Sequence, residues 1–288
     1  MKAEIFLVTY ANDFEFTTYT LRSIAKFGRG FSGTTIVVPY KDLGLFGPLA
    51  KQHDCTLRGY YESESKGFLH HQVCKCEADL WCPKGTDLIV HIDSDCVFKE
   101  PFSLDDFIGP TGKPILVRER FDDFKHYPAR YSWKQCAEHA LGIDMPWETM
   151  VRHPAVFWAK MYPDLRAHIE SIHHFPFTQY VLLQRNEFPQ TFAEFPTLGG
   201  FALGCWGGNT QYDIATRVRT PSEYWRDKGI EPVRLDDHGK PSREIDIYLW
   251  EDGSPATVLD PVQYFWSRAG VTVQIRSQIE SILCPSQT

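Results

Sequence analysis

The chain has 288 residues, 43% of them hydrophobic and 14% aromatic, enough to fill one or two packed cores and far from a disordered composition. A formal charge of −7 removes any general attraction to polyanions, so bulk nucleic-acid binding is disfavoured, although a local basic groove is compatible with that total. No stretch reaches the ~20 apolar residues of a membrane span, and Glu4 interrupts the first apolar run; the expectation is a cytoplasmic chain whose eight cysteines stay reduced.

In chain order, Ile5–Tyr10 reads as a buried strand, Phe16–Phe27 has helical spacing and stops at Gly28, and Thr34–Pro39 is a second strand. Lys41–Gln52 reads as a short helix, Thr56–Tyr60 as a third strand, Gly67–Trp81 as a longer helix and Asp87–Ile92 as a fourth strand. This alternation predicts an α/β fold, a mostly parallel, Rossmann-like sheet flanked by helices, with ligands beyond the carboxyl ends of the strands. Residues 101–112 suit a crossing loop, Met150–Ile172 reads as helical with a break at Pro154 or Pro163, residues 220–256 suit long surface excursions, and Val271–Leu283 suits a closing amphipathic helix. No repeat or low-complexity tract is present.

The fourth strand ends in Asp93-Ser94-Asp95. On an extended backbone Asp93 and Asp95 share a face while Ser94 points away. Two hard oxygen ligands at a strand end suit Mg²⁺ or Mn²⁺, ions that take their remaining ligands from water and a diphosphate; a solvated turn is the plainer alternative. The first strand ends at Thr9-Tyr10-Ala11-Asn12-Asp13 on the same expected edge. There Tyr10 has the shape to stack on a base, and Asp13 is either an acceptor for a base or ribose or the N-cap of the next helix. His70, His71, Cys74, Cys76 and Cys82 offer zinc-type ligands, but Cys-x-Cys on a helix points the two thiols apart.

The stretch Ile89-Val90-His91-Ile92-Asp93-Ser94-Asp95-Cys96-Val97-Phe98 resembles the Leu-x-Leu-Asp-Ser-Asp-Thr-x-Phe segment of GT-A glycosyltransferases, in particular a small bacterial and phage group, with Cys96 where threonine is usual. Gly67-Phe68-Leu69-His70-His71-Gln72-Val73-Cys74-Lys75 is similar to that group's Gly-Trp-x-x-Gln-Gln-x-x-Lys, and Thr191–Gly199 to its Ser-Glu-Tyr-x-x-Tyr-Gly, keeping Glu194 and Gly199. The resemblance covers most of residues 4–204. It implies a GT-A fold with a nucleotide-sugar-binding half (1–100) and an acceptor-binding half (101–288), and transfer of a sugar from a nucleotide-diphosphate donor, UDP favoured, to an acceptor hydroxyl. It further implies a donor set of Thr9, Tyr10, Asp13, Gln72, Lys75, Asp93 and Ser94, and Mn²⁺ or Mg²⁺ on Asp93 and Asp95. His238 is the expected third metal ligand, with His153 as another; both are also read as ordinary loop histidines.

Lys75 is read either as a cation for the diphosphate or as an exposed helix lysine. Glu194, in an apolar, turn-rich segment, is the expected catalytic base, with a helix-entry carboxylate as the alternative. Trp250, Tyr264 and Trp266 are read as core or as sugar platforms. A saccharide is the expected acceptor. Residues 118–134 interleave cations with aromatics, which keeps hydroxymethylated DNA open as the acceptor. A nucleotidyltransferase would add a glycine-rich phosphate loop after the first strand, and Thr9–Phe16 contains no glycine. A non-catalytic sugar-nucleotide-binding protein is a further alternative.

Overall fold

Residues 3–8 are buried on both faces, which is why a largely apolar run makes this strand: Ala3, Ile5 and Leu7 pack to one side, Phe6 and Val8 to the other, and the buried Glu4 accepts from the Thr35 hydroxyl. The computed structural model describes residues 1–63, 65–124, 128–151, 154–187, 192–221, 244–265 and 270–284. Its strands are β1 (Ala3–Val8), β2 (Gly28–Arg29), β3 (Gly33–Pro39), β4 (Thr56–Tyr60), β5 (Leu88–His91), β6 (Cys96–Phe98), β7 (Phe102–Ser103), β8 (Ile115–Arg120), β9 (Trp147–Glu148), β10 (Ala155–Trp158), β11 (Asp213–Pro221), β12 (Glu244–Trp250), β13 (Pro255–Ala256) and β14 (Val262–Tyr264). Its helices are α1 (Phe14–Phe27), α2 (Leu43–Gln52), α3 (Gly67–Cys76), α4 (Ala78–Trp81), α5 (Pro128–Leu141), α6 (Met161–His173), α7 (Phe177–Leu182), α8 (Glu194–Gly204) and α9 (Val273–Leu283).

The first sheet has the order β10-β5-β1-β3-β4, with β5, β1, β3 and β4 mutually parallel and β10 antiparallel at the edge. The expected mixed α/β architecture, a mostly parallel sheet flanked by helices, is therefore present. From β1 the chain moves outward to β3 and β4, then returns to place β5 on the other side of β1. The crevice between the carboxyl ends of β1 and β5 is the point where strand order reverses, the position at which doubly wound sheets bind ligands. A second sheet, β13-β12-β11-β8-β9, is built from later residues. The chain then returns: β14 pairs antiparallel with β6, directly after the carboxylate turn. α9 packs on α1 through an Arg22–Glu280 ion pair of 2.7 Å and an Arg276–Glu15 ion pair of 2.6 Å.

Several local expectations are revised. The Gly67–Trp81 helix is divided at Glu77 into α3 and α4. Met150–Ile172 is not one broken helix: Ala155–Trp158 is the edge strand β10, whose buried Val156 and Phe157 pack on opposite faces of the sheet. Pro163 falls in the first turn of α6, where its missing N–H costs nothing. Glu194–Gly200 is not turn-rich chain. From Glu194 it is α8, with Pro196 in the first turn, and Gly199 and Gly200 sit against the side chains of Thr149 and Met145, where a Cβ would collide. Those glycines read as turn signals in one dimension and serve close packing in three. Among the described residues no helix is long and apolar enough to cross a membrane.

Candidate active site

β5 ends at His91, so Asp93, Ser94 and Asp95 lie in a turn between β5 and β6, and strand alternation no longer governs their directions. Ser94 accordingly does not point away: its hydroxyl donates to Asp13 Oδ2 at 2.9 Å. Helices on both faces of the sheet hold this turn. From α1, the fully buried Thr20 hydroxyl lies 2.6 Å from the Ser94 carbonyl, 2.8 Å from that of Cys96 and 3.2 Å from that of Phe16. From the C-terminal return, the Phe265 amide donates to the Asp95 carbonyl at 2.9 Å. Removing the Thr20 hydroxyl would leave buried carbonyls without their donor. Thr20→Val is expected to lower stability by about 1–3 kcal/mol and Thr20→Ser to retain most of it, as read by urea unfolding.

Lys75 comes from α3 on the opposite face and is only 4% exposed. The alternative of an exposed helix lysine does not match this placement. Its Nζ donates to Asp93 Oδ1 at 2.7 Å and to Glu194 Oε1 at 2.8 Å, and lies 4.6 Å from the centre of the Phe195 ring. Burial disfavours the ammonium, but the two carboxylates outweigh it and raise its pKa above the ordinary lysine value. Glu194 is the first residue of α8, a helix-entry carboxylate aimed at the edge of the first sheet. Three segments that are far apart in sequence thus meet at one ammonium group.

Asp95 is in a different electrostatic position. Among the described residues no cation pairs with it, and burial followed by repulsion from Asp93 pushes its pKa up to about 6. Burial also raises Asp13, with Asp93 adding to the shift against the Ser94 hydrogen bond. Burial, Asp13 and Asp95 together raise the Tyr10 hydroxyl. Such an accumulation of carboxylates, with its one lysine already shared, suits a divalent cation. Among the described residues no group of three His, Cys, Asp or Glu side chains is arranged to hold a metal by itself, so the protein would supply Asp95 and Asp93 and leave other positions to phosphate and water. His238 and His153 lie outside the described residues, as does Trp266.

Tyr10 is 42% exposed and lines a cavity of about 270 Å³ with Tyr60, Glu62, Gly67, Phe68 and His71. Sequence reasoning did not point to Tyr60, Glu62 or Phe68, because only the β1–β3–β4 pairing brings the end of β4 beside Tyr10. His71 is held neutral by burial and by Lys75, and its Nε2–H donates to the Val8 carbonyl at 2.9 Å. His70 stacks on Tyr60 instead, while Cys74, Cys76 and Cys82 are free thiols in the core whose pKa values burial raises.

Two of the expected donor residues face inward. Thr9 is buried with its hydroxyl 2.9 Å from that of Thr17, and Gln72 is 3% exposed with no partner for its Oε1 among the described residues. The 118–134 stretch is strand, 3-10 turn and helix where an open loop was expected, and residues 125–127 lie outside the described residues. Three of its cations, Arg118, Arg120 and Lys134, have internal partners among the described residues. Arg118 lies 4.0 Å from the Trp147 ring centre and donates to Thr216, Arg120 lies 5.5 Å from the same ring, and Lys134 pairs with Glu138 at 2.6 Å.

No protein-family model matches the sequence, and no curated protein matches it. Among solved structures, the chain is similar in fold to mouse xyloside xylosyltransferase 1, with a TM-score of 0.41 and 11% identity over 83% of this chain and 96% of that one. It is also similar to the glycosyltransferase GlyE of Streptococcus pneumoniae, with a TM-score of 0.44 and 9% identity over 99% of this chain and 60% of that one. A third likeness is to 4-diphosphocytidyl-2C-methyl-D-erythritol synthase from Anaerococcus prevotii, with a TM-score of 0.40 and 9% identity over 75% of this chain and 86% of that one. These are distant likenesses of chain course, and the functional reading rests on the residues at the strand edge.

Proposed function

We propose that the chain is a metal-dependent GT-A-type glycosyltransferase that moves a sugar from a nucleotide-diphosphate donor, UDP-sugar in the first instance, to a saccharide hydroxyl. The observation that carries this reading is the convergence of Asp13, Ser94, Asp93, Lys75 and Glu194 on the crevice where strand order reverses. Residues 1–100 would bind the nucleotide, with Tyr10 against the base and Asp13, fixed by Ser94, toward the ribose. Residues 101–288 would bring Glu194 and the acceptor.

Asp95 and Asp93 would hold Mn²⁺ or Mg²⁺, and such an ion supplies charge neutralisation for the departing diphosphate. Lys75 acts as a positioning residue, holding Asp93 toward the donor and Glu194 toward the acceptor. With Oε1 bound to Lys75, Glu194 keeps Oε2 to take the proton of the attacking hydroxyl. Arg118, Arg120 and Lys134 are engaged with internal partners, which favours a saccharide over hydroxymethylated DNA.

The test is release of nucleotide from UDP-, GDP-, ADP- and CDP-sugars with Mn²⁺, with Mg²⁺ and with chelator. One donor should be hydrolysed only with metal. Glu194→Gln, which keeps an acceptor for Lys75, should leave donor affinity unchanged and slow transfer by roughly 10²–10⁴-fold. Nucleotide binding without turnover would favour a non-catalytic sugar-nucleotide-binding protein. The absence of both turnover and metal-dependent thermal stabilisation by nucleotides would remove the donor reading.

A further inference from the structure

A second concave region lies away from the carboxylate edge. Two cavities of about 410 and 580 Å³ adjoin in the C-terminal half and share Asn209, Ile214 and Glu251 in their walls. The first is bounded by Gly200, Leu203 and Gly204 of α8, the nearest of them six residues beyond Glu194, or about 9 Å at helical rise. Neither cavity is lined by Tyr10, Asp13, Lys75, Asp93, Asp95 or Glu194, so the furrow lies off the donor edge.

Its walls define the chemistry of an occupant. Trp250 lines one cavity, supplying apolar surface of the kind that receives the C–H face of a pyranose ring, and Trp147 lines the other with Arg118 4.0 Å and Arg120 5.5 Å from its ring centre. Polar groups are fixed between them. Asn209 Nδ2 donates to Glu251 Oε2 at 3.2 Å, and the Ser254 amide and hydroxyl donate to Asp252 Oδ1 at 2.8 and 2.6 Å, which holds the turn after Trp250.

The lining carries four carboxylates, on Asp144, Asp213, Glu251 and Asp252, against two cations, Arg118 and Lys113. Both cations are engaged, and so are acids of the lining: Arg118 lies 3.8 Å from Glu251, Lys134 pairs with Asp144 at 3.3 Å, and Thr111 donates to Asp213 at 2.8 and 2.6 Å. Arg118 layers on Trp147 with its Nε donating to Thr216 at 3.0 Å, and Lys113 donates to the Asn209 carbonyl at 3.0 Å. A wall rich in acceptors and net negative repels phosphates and anionic glycans, and it selects a ligand with many hydroxyl donors, no negative charge and apolar ring faces. From this furrow we infer a second, non-catalytic binding site for a neutral oligosaccharide, spanning Trp147 and Trp250 across the Asn209–Glu251 pair.

The site is independent of the donor edge, so its test needs neither metal nor nucleotide. The full chain, in chelator, is titrated by calorimetry and tryptophan fluorescence with maltopentaose, cellopentaose, chitopentaose, an anionic hyaluronan oligosaccharide and pentalysine. At least one neutral pentasaccharide should bind with a Kd of about 1 mM or tighter, and the anionic glycan at least about tenfold more weakly. Trp147→Ala and Glu251→Ala should each weaken binding about tenfold, and Asp95→Asn should leave it intact. The exposed Asn209→Ala serves as a second probe if Trp147→Ala does not fold. The assignment is overturned if no neutral pentasaccharide binds, if pentalysine or the anionic glycan binds best, or if Asp95→Asn abolishes binding while Glu251→Ala and Asn209→Ala do not.

Discussion

Lys75→Met is expected to lower stability by about 3 kcal/mol, a fall in Tm of roughly 6–10 °C, with soluble but donor-inactive protein remaining. Methionine keeps an unbranched side chain, one atom shorter, but leaves Asp93 and Glu194 facing each other without a cation, in a region that already contains Asp13 and Asp95. Most of the cost is that of stranding two partly buried carboxylates, so Lys75→Met combined with Glu194→Gln should be markedly less destabilised than the two single variants sum to. A double-mutant cycle measures that coupling, expected at about 1–3 kcal/mol.

The sign of the pH dependence follows from the raised Lys75 pKa. The contribution of Lys75 is complete below the unfolded lysine value and is lost as pH rises through the higher folded value, so Lys75→Met should be penalised at neutral pH and progressively less at strongly alkaline pH. A change in Tm below about 2 °C would mean that Lys75 does not hold the two carboxylates together in solution.

Asp95→Asn is expected to do the reverse, making the metal-free protein more stable while removing metal-dependent donor turnover. Its carboxyl is raised from 3.8 to about 6 by burial and by Asp93. The folded state therefore holds that proton more tightly than the unfolded chain does. The resulting penalty is absent below about pH 4 and fully developed above about pH 6. A shift of about two units corresponds to at most about 3 kcal/mol, and with partial solvent access about 1–2 kcal/mol is expected. Asp95→Asn should thus melt several degrees higher than the parent at pH 7.5 and equally at pH 4. Mn²⁺ with nucleotide diphosphate should raise the Tm of the parent and not that of the variant. Equal Tm gains with Mn²⁺ in both proteins would place the metal elsewhere.

The two variants separate the roles of the acid pair. Asp93 is paired with Lys75, whereas among the described residues no cation pairs with Asp95. The expectation that Asp93 and Asp95 share one strand face does not hold, because β5 ends before the pair and Asp93 turns toward Lys75.

Much of the donor-side architecture was legible from local pattern. Doubly buried strands need continuous apolar runs, amphipathic helices need helical spacing, and Asp93 and Asp95 follow the end of such a run. β1, β3, β4 and β5, with the helices between them, follow from interactions within a few residues and from burial alone. The position of the crevice follows from their alternation. The motif resemblance separately brought Lys75 and Glu194 into view.

The roles of those two residues were decided at longer range. Lys75 and Glu194 are 119 positions apart, and their ion pair exists because α8 packs its glycines against Thr149 and Met145 and so points its first residue at α3. Local composition marks Gly199 and Gly200 as turn residues, and only the neighbours supplied by packing make them helix residues. The cations of residues 118–134 are equally ambiguous in one dimension. Arg118 is spent on Trp147, Thr216 and Glu251, partners brought to it by β9, β11 and the turn after β12. Local pattern thus specifies which segments are buried and extended or helical, because those choices depend on near neighbours. Which charge compensates which is set by tertiary packing, since a charge's partner is the nearest opposite charge in space, however far away it lies in the chain.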